Sequence, residues 1–314
     1  MPELVVDLRL PPGDRWHLTP AQCEQARNLL GSYKRDLGLP SGFVSSDLVR
    51  QDYWAEMESL ARQVSVPVSD VALCNFYYDA LKVVLGSAFG CTAFAIDTPA
   101  GILHARNLDW WTENSELARF TTVCHFVGGP AGDFTTIGWP GFIGAFSGIA
   151  PGRFAVTLNA VLSAEPAEVA MPVELLLRTV LEEARSFDAA RTLLCETPIP
   201  CDCLLLLTGT LPGQMVVIER TPLRRAVRSP QAGYICVTNG YQALSASAGN
   251  APSELMATCC QRLERMEALI RNRRPNDADD CFRYLNDPEV RMNMTVQQMV
   301  FRAATGECWN RPES

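Results

Sequence analysis

GCTAFAIDTPAGILHARNLDWW, residues 90–111, is the stretch on which the reading of this chain turns. A short apolar run, Cys91 to Asp97, reaches a turn at Thr98-Pro99-Ala100-Gly101 and returns as Ile102 to Arg106. Proline and glycine between two apolar runs mark a hairpin. Cys91 opens the first arm, Arg106 sits on the second, and Asp109 follows three residues on. A thiolate is a strong nucleophile, but a free cysteine has a pKa of ~8.5 and needs activation. A nearby guanidinium supplies fixed positive charge that favours the anionic sulfur. If the chain is cut before Cys91, a new α-amine appears on the nucleophile itself, and its pKa of ~7.7–8.0 suits a general base near neutral pH. Asp109 can accept a hydrogen bond from that amine. Gly90, lacking Cβ, lets the preceding backbone bend so that the thiol reaches its carbonyl. The residues alone leave the alternatives open: Cys91 as a strand cysteine in a core, and Arg106 with Asp109 as a loop salt bridge.

The texture changes on either side of the hairpin. The first ninety residues read as helical: Thr19-Pro20 starts one helix, Ser46 to Val64 forms a second, and a third begins near Ser69-Asp70 and runs to Val84. A small-residue break, Gly86 to Gly90, separates them from the hairpin. Strands are then expected at 120–127, 133–138, 142–147 and 154–159, helices at 173–185 and 188–195, and strands again at 202–207, 215–219 and 234–238. A long helix covers about 253–270, another 277–285, and residues 294–303 lean towards strand. Strands, helices, strands and helices in that order give layers, two sheets packed together with helices outside. This is an α+β arrangement.

Composition narrows the partners. The 314 residues carry a net charge of -8 and a pI near 5.0, which excludes a basic face for nucleic acid. No run of about 18 apolar residues predicts a transmembrane helix, and MPELVVDLRLPPGDRW lacks the pattern of a signal peptide. A cytoplasmic location is the corresponding expectation. Twelve cysteines invite a disulfide framework, but their scatter in a long chain without an export signal fits small buried apolar side chains better. There is no C-x-x-C and there are only three histidines, so no metal site is expected.

The hairpin segment resembles the nucleophile hairpin of the cysteine N-terminal-nucleophile (Ntn) hydrolases, of the acid ceramidase and N-acylethanolamine acid amidase type. Bile salt hydrolase, penicillin V acylase and isopenicillin N acyltransferase are more distant members of that superfamily. The likeness extends along the chain, through VDLRLPPGDRW (residues 6–16), GFIGAFSGIAPGRFAVTLN (141–159), ETPIPCD (196–202), VVIER (216–220) and CVTN (236–239). It implies an Ntn-hydrolase αββα sandwich over 91–314, preceded by a helical prosegment, 1–90, that stays bound after the chain cuts itself between Gly90 and Cys91. It implies roles as well: Cys91 as nucleophile and base, Arg106 beside the sulfur, Asp109 holding the amine, and Asn239 donating its amide to the oxyanion. No metal or organic cofactor is needed. The implied substrate is a small-molecule N-acyl amide with an apolar acyl chain. Two other readings keep the same fold: an acyltransferase in which a second amine replaces water, and a scaffold without catalysis.

The sequence departs from the pattern in two places. Ala160 and Val161 follow Asn159 where the family has an acidic residue, and the Asp-Asp-Arg-Arg expected after the asparagine is replaced by Gly240 to Asn250. Arg262 is the candidate for the second functional arginine. Arg262 and Arg265 can equally pair with Glu264 or Glu267 on a solvated helix face, and Asn239 before Gly240 can equally be a turn residue. Trp110, Trp111, Trp139, Phe142, Phe146 and Asn159 are candidates for the substrate pocket, with core packing as the competing reading for the aromatic ones. His104 is set aside as a structural hydrogen-bonder.

Overall fold

Among the described residues upstream of the hairpin there are one strand, β1 (Glu3–Asp7), two short 3-10 turns and four α-helices: α1 (Pro20–Leu37), α2 (Gln51–Val64), α3 (Val68–Asn75) and α4 (Tyr77–Val84). The hairpin itself is β2 (Phe89–Thr98) and β3 (Gly101–Trp110). Then come α5 (Glu116–Arg119), β4 (Thr122–Val127), β5 (Phe134–Gly138), β6 (Ser147–Ala150) and β7 (Phe154–Asn159). Helices α6 (Val173–Glu183) and α7 (Phe187–Glu196) lead to β8 (Cys203–Thr208), β9 (Met215–Arg220), β10 (Arg225–Arg228) and β11 (Tyr234–Val237). The chain closes with α8 (Glu254–Asn272), α9 (Ala278–Leu285), β12 (Thr295–Arg302) and β13 (Glu307–Arg311). This computed structural model describes residues 2–37, 46–84, 89–110, 116–245 and 254–311.

The strands make two sheets, one of eight in the order β1-β4-β5-β6-β7-β8-β9-β10 and one of five in the order β11-β2-β3-β12-β13. Alternation along each strand builds the layers. On β2, Ala93 and Ala95 face the other sheet, while Phe94 and Ile96 pack on Met266 and Ile270 of α8 and on α9. On β8, Leu204 and Leu206 point between the sheets, and Leu205 and Leu207 join the core shared with α6 and α7. The expected αββα sandwich is therefore the observed one. Ten of the twelve cysteines are buried, and all twelve are free thiols.

Three expectations are corrected. The first ninety residues are not wholly helical: β1 pairs in parallel with β4, Leu4 opposite Cys124 and Val6 opposite Phe126. An outward Val5 between Leu4 and Val6 masked the period of two. The third helix breaks at Phe76. The Asn75 side chain just before it donates to Gly141 O and accepts from Ile143 N and Gly144 N, so it serves a neighbouring loop. Residues 142–146 are that loop, not a strand, and only Ser147 of the expected 142–147 strand belongs to β6. The N–H groups of Ile143 and Gly144 go to Asn75, and that of Ala145 goes to Glu174 O. Gly144 lies so close to Glu174 that a Cβ would fall 2.8 Å from it. The short edge strands β10 and β13 and the single turn α5 went unread.

The N-terminal helices are anchored to the rest by buried charge. Glu56 of α2 meets Arg178 of α6, both fully buried, and also receives Arg15 and the Trp16 indole. Arg178 lies 4.3 Å over the Phe126 ring. Removing one member of such a group leaves an uncompensated buried charge, at a cost of about 3–5 kcal/mol.

Candidate active site

Register assembles the site. Cys91 lies on β2 opposite Leu108, and Arg106 lies opposite Ala93. Both side chains therefore enter the space between the sheets. The Arg106 guanidinium is fully buried and fixed on three sides by Phe146 O (2.8 Å), the Ser147 hydroxyl and Leu158 O. These oxygens sit on β6, β7 and the loop before them. Thus held, its Nη2 lies 3.2 Å from Cys91 Sγ. The sulfur is 1% exposed and also lies 3.8 Å from Leu158 O. Gly90 and Asp109 face each other in the ladder, which sets Asp109 beside the Gly90–Cys91 peptide. Its carboxylate accepts from the Thr295 hydroxyl at 2.5 Å.

The backbone of Cys91 is gripped at both ends. β11 pairs with β2 as far as Val237 opposite Ala93. Beyond that point the Asn239 side chain continues the ladder, its Oδ1 accepting from Cys91 N at 3.1 Å. Arg262 comes in from α8, 2% exposed, and donates to Cys91 O and Thr92 Oγ1 (2.8 Å each) and to Asn239 Oδ1 (2.7 Å). The solvated-face alternative thus falls to Arg265, which pairs with Asp287 and Glu289. Two donors on one side fix the Asn239 amide, and its Nδ2 donates to Ala160 O at 2.8 Å. In this uncut chain the group expected to serve an oxyanion is engaged with a backbone carbonyl. Asn159 straps β7 to the end of β11 through Val237 O and Thr238 O.

Four of the pocket candidates share one aromatic cluster. Trp110 stacks on Tyr77 of α4 (5.2 Å between centroids) and meets Trp139 and Phe146 edge-on, and Phe142 stacks on Phe146 at 5.1 Å. Trp139, Phe142 and Leu30 and Tyr33 of α1 line a small apolar cavity of about 20 Å³. Trp111 lies outside the described residues. His104 bridges Thr157 (2.8 Å) and Thr208 (3.1 Å) between the sheets. Burial, with Arg106 adding to it, drives its pKa down to about 3, so it is a neutral crosslink.

A thiol, a fixed guanidinium, a flanking carboxylate and a clamped backbone amide thus surround the Gly90–Cys91 peptide bond. Residues 97–300 match the model of the acyl-coenzyme A:6-aminopenicillanic acid acyl-transferase family. The chain belongs to that family. In sequence it is also similar to acid ceramidases and N-acylethanolamine-hydrolyzing acid amidases. Acid ceramidase of Balaenoptera acutorostrata scammoni is 25% identical over 258 residues, covering 70% of this chain and 63% of the relative. The N-acylethanolamine-hydrolyzing acid amidase of Mus musculus is 28% identical over 198 residues, covering 59% and 52%. The chain thus spans less than two thirds of the length of these curated relatives. The Caenorhabditis elegans N-acylethanolamine-hydrolyzing acid amidase ortholog superposes with a TM-score of 0.57 at 21% identity, over 68% of this chain and 93% of that one.

Within this family member, sequence reading missed the residues that hold the named ones. Ser147, Thr92, Thr258 and Thr295 are small hydroxyls, and the Phe146 and Leu158 contributions are backbone carbonyls. A hydroxyl next to a motif carries no signal of its own, and a carbonyl carries none at all.

Proposed function

We propose that the protein is a cysteine amidohydrolase that matures by cutting itself between Gly90 and Cys91 and then hydrolyses linear N-acyl amides of lipid type. The observation that carries the reading is the Cys91 Sγ to Arg106 Nη2 contact of 3.2 Å, formed while Cys91 N and O are held by Asn239 and Arg262. In maturation the sulfur attacks the Gly90 carbonyl carbon. The C–N bond breaks, the thiol proton goes to the departing nitrogen, and a thioester joins Gly90 to Sγ. Water then cleaves the thioester, leaving a Gly90 carboxylate, a free thiol and an α-amine on Cys91. That amine is the base of later cycles, with Asp109 as its acceptor. In turnover the thiol attacks the substrate carbonyl, the amine leaves protonated, and water releases the acid. The oxyanion role of Asn239 requires its Nδ2 to exchange Ala160 O for the substrate oxygen, a donor worth several kcal/mol once in place.

The apolar acyl preference is supported by the aromatic cluster of Trp110, Trp139, Phe142 and Phe146 and by the lipid amidases among the relatives. Residues 1–90 form the proposed prosegment. Its retention is supported by the β1–β4 ladder and the Glu56–Arg178 pair. The family's own description as an acyl-transferase favours a second reading, in which an added amine takes the acyl group from Cys91 in place of water.

The test is intact-mass analysis of wild type and Cys91→Ala, followed by product analysis on N-acyl amides with and without an added amine. The wild type is expected to give two fragments with Cys91 as a new N-terminus. Cys91→Ala should remain one chain without amidase activity. Fragments at Gly90 in Cys91→Ala would remove the sulfur from the mechanism, and acyl transfer to the added amine in preference to water would select the second reading.

A further inference from the structure

We propose that Thr295 is the positioning residue that aims the Asp109 carboxylate at the amine released from Cys91. The proposal rests on the maturation reading above. Thr295 and Asp109 are both fully buried and directly opposed in the β12–β3 ladder. The Thr295 hydroxyl donates to Asp109 Oδ1 at 2.5 Å, and its own oxygen accepts from Met292 N at 3.3 Å. That incoming N–H fixes the hydroxyl rotor, so its hydrogen is directed at the carboxylate. The bond therefore sets the rotation of the Asp109 carboxylate about its Cβ–Cγ bond.

A bulge makes the alignment possible. Between Thr295 and Gln297 the register shifts, so that two β12 residues are spanned while β3 advances by one, from Asp109 to Leu108. Such an extra residue re-aims the side chains on either side of it. Thr295 is kept opposite Asp109, and Gln297 is kept opposite Leu108, the residue facing Cys91. Without the bulge, strand alternation would carry one of them to the wrong face. Asp109 faces Gly90, so a carboxylate held in one rotamer presents its acceptor sites to the amine that appears one residue further along β2. A carboxylate free to rotate would hold that amine in several orientations, and only some of them direct its lone pair at the thiol.

The experiment compares wild type, Thr295→Val, Thr295→Ser and Thr295→Ala, each allowed to mature, in steady-state turnover of N-dodecanoyl ethanolamine, with thermal unfolding measured for each. Loss of a hydrogen bond to a charged group predicts a fall in kcat of about tenfold or more for Thr295→Val, with KM within about twofold. Thr295→Ser, which keeps the hydroxyl, should restore kcat. Thr295→Ala repeats the Thr295→Val result without a misplaced methyl, should the latter fail to fold. Wild-type kcat in Thr295→Val or Thr295→Ala overturns the proposal. So does a loss in Thr295→Ser as large as in Thr295→Val, because packing would then explain both. Wild type that neither matures nor turns over the amide refutes the underlying reading instead, so the two failures are distinguishable.

Discussion

Arg106 meets Phe146 O, Ser147 Oγ and Leu158 O before it meets the thiol, and this is why its identity matters more than its charge. A planar fork can satisfy acceptors on several sides while presenting one edge to sulfur, which a lysine ammonium cannot do. Arg106→Lys should therefore keep the fold but slow self-cleavage by about tenfold or more. Arg106→Met should also destabilise the chain by about 1–3 kcal/mol, because buried carbonyls lose their donor. Time-resolved intact mass and urea unfolding read the two effects, and wild-type cleavage in Arg106→Lys would show that charge alone suffices. Cys91, Arg106 and Asp109 were legible because one hairpin carries all three. Thr295 was not legible: it reaches Asp109 across 186 positions, and only the sheet register reveals the pairing.

At the scale of elements, α8 acts as a clip on Asn239. Arg262 holds its Oδ1, and one turn earlier the Cys259 sulfur accepts from Asn239 N at 3.2 Å and lies 3.0 Å from Thr238 Oγ1. Residues three apart lie on one helix face, so a single helix rotation seats both contacts. Cys259→Ala should slow maturation severalfold, and Cys259→Ser, which keeps an acceptor, should slow it less. The exposed neighbour Cys260→Ser is expected to behave as wild type. Equal rates across the three variants would detach α8 from the chemistry. The helix was foreseen over roughly its observed length, but its rotation was not. Nothing in the spacing of Arg262 and Arg265 says which one turns inward. Residues 142–146 show the complementary failure. Their apolar pattern fits a strand, yet the N–H groups of Ile143, Gly144 and Ala145 go to an asparagine side chain and a helix carbonyl, which no local pattern encodes.

For the molecule as a whole, two buried groups tilt stability in opposite directions with pH. His104 stays neutral down to about pH 3, so below its ordinary value of 6.5 the unfolded chain binds a proton that the folded chain refuses, and stability falls as pH drops. Burial, reinforced by Asp79, pushes the Glu174 carboxyl well above its ordinary 4.5, so above that value the unfolded chain releases a proton that the folded chain keeps, and stability falls as pH rises. Each proton tilts the curve by up to about 1.4 kcal/mol per pH unit. In the uncut Cys91→Ala chain, these two groups place the maximum between about 4.5 and 6.5. Denaturant unfolding against pH should show the alkaline slope reduced in Glu174→Gln, and an unchanged slope would remove Glu174 as its source. The sandwich itself was readable because alternation and helix periods report layers. The weave of the N-terminal part into those layers was not, since one five-residue strand decides it. That strand, β1, makes the N-terminal part a donor to the sheet of the rest of the chain. A polypeptide begun at Cys91 would present Thr122–Val127 as a bare margin, the kind that recruits neighbouring chains into shared sheets. Under the proposed maturation, scission after folding would give a two-piece protein whose margin is never uncovered.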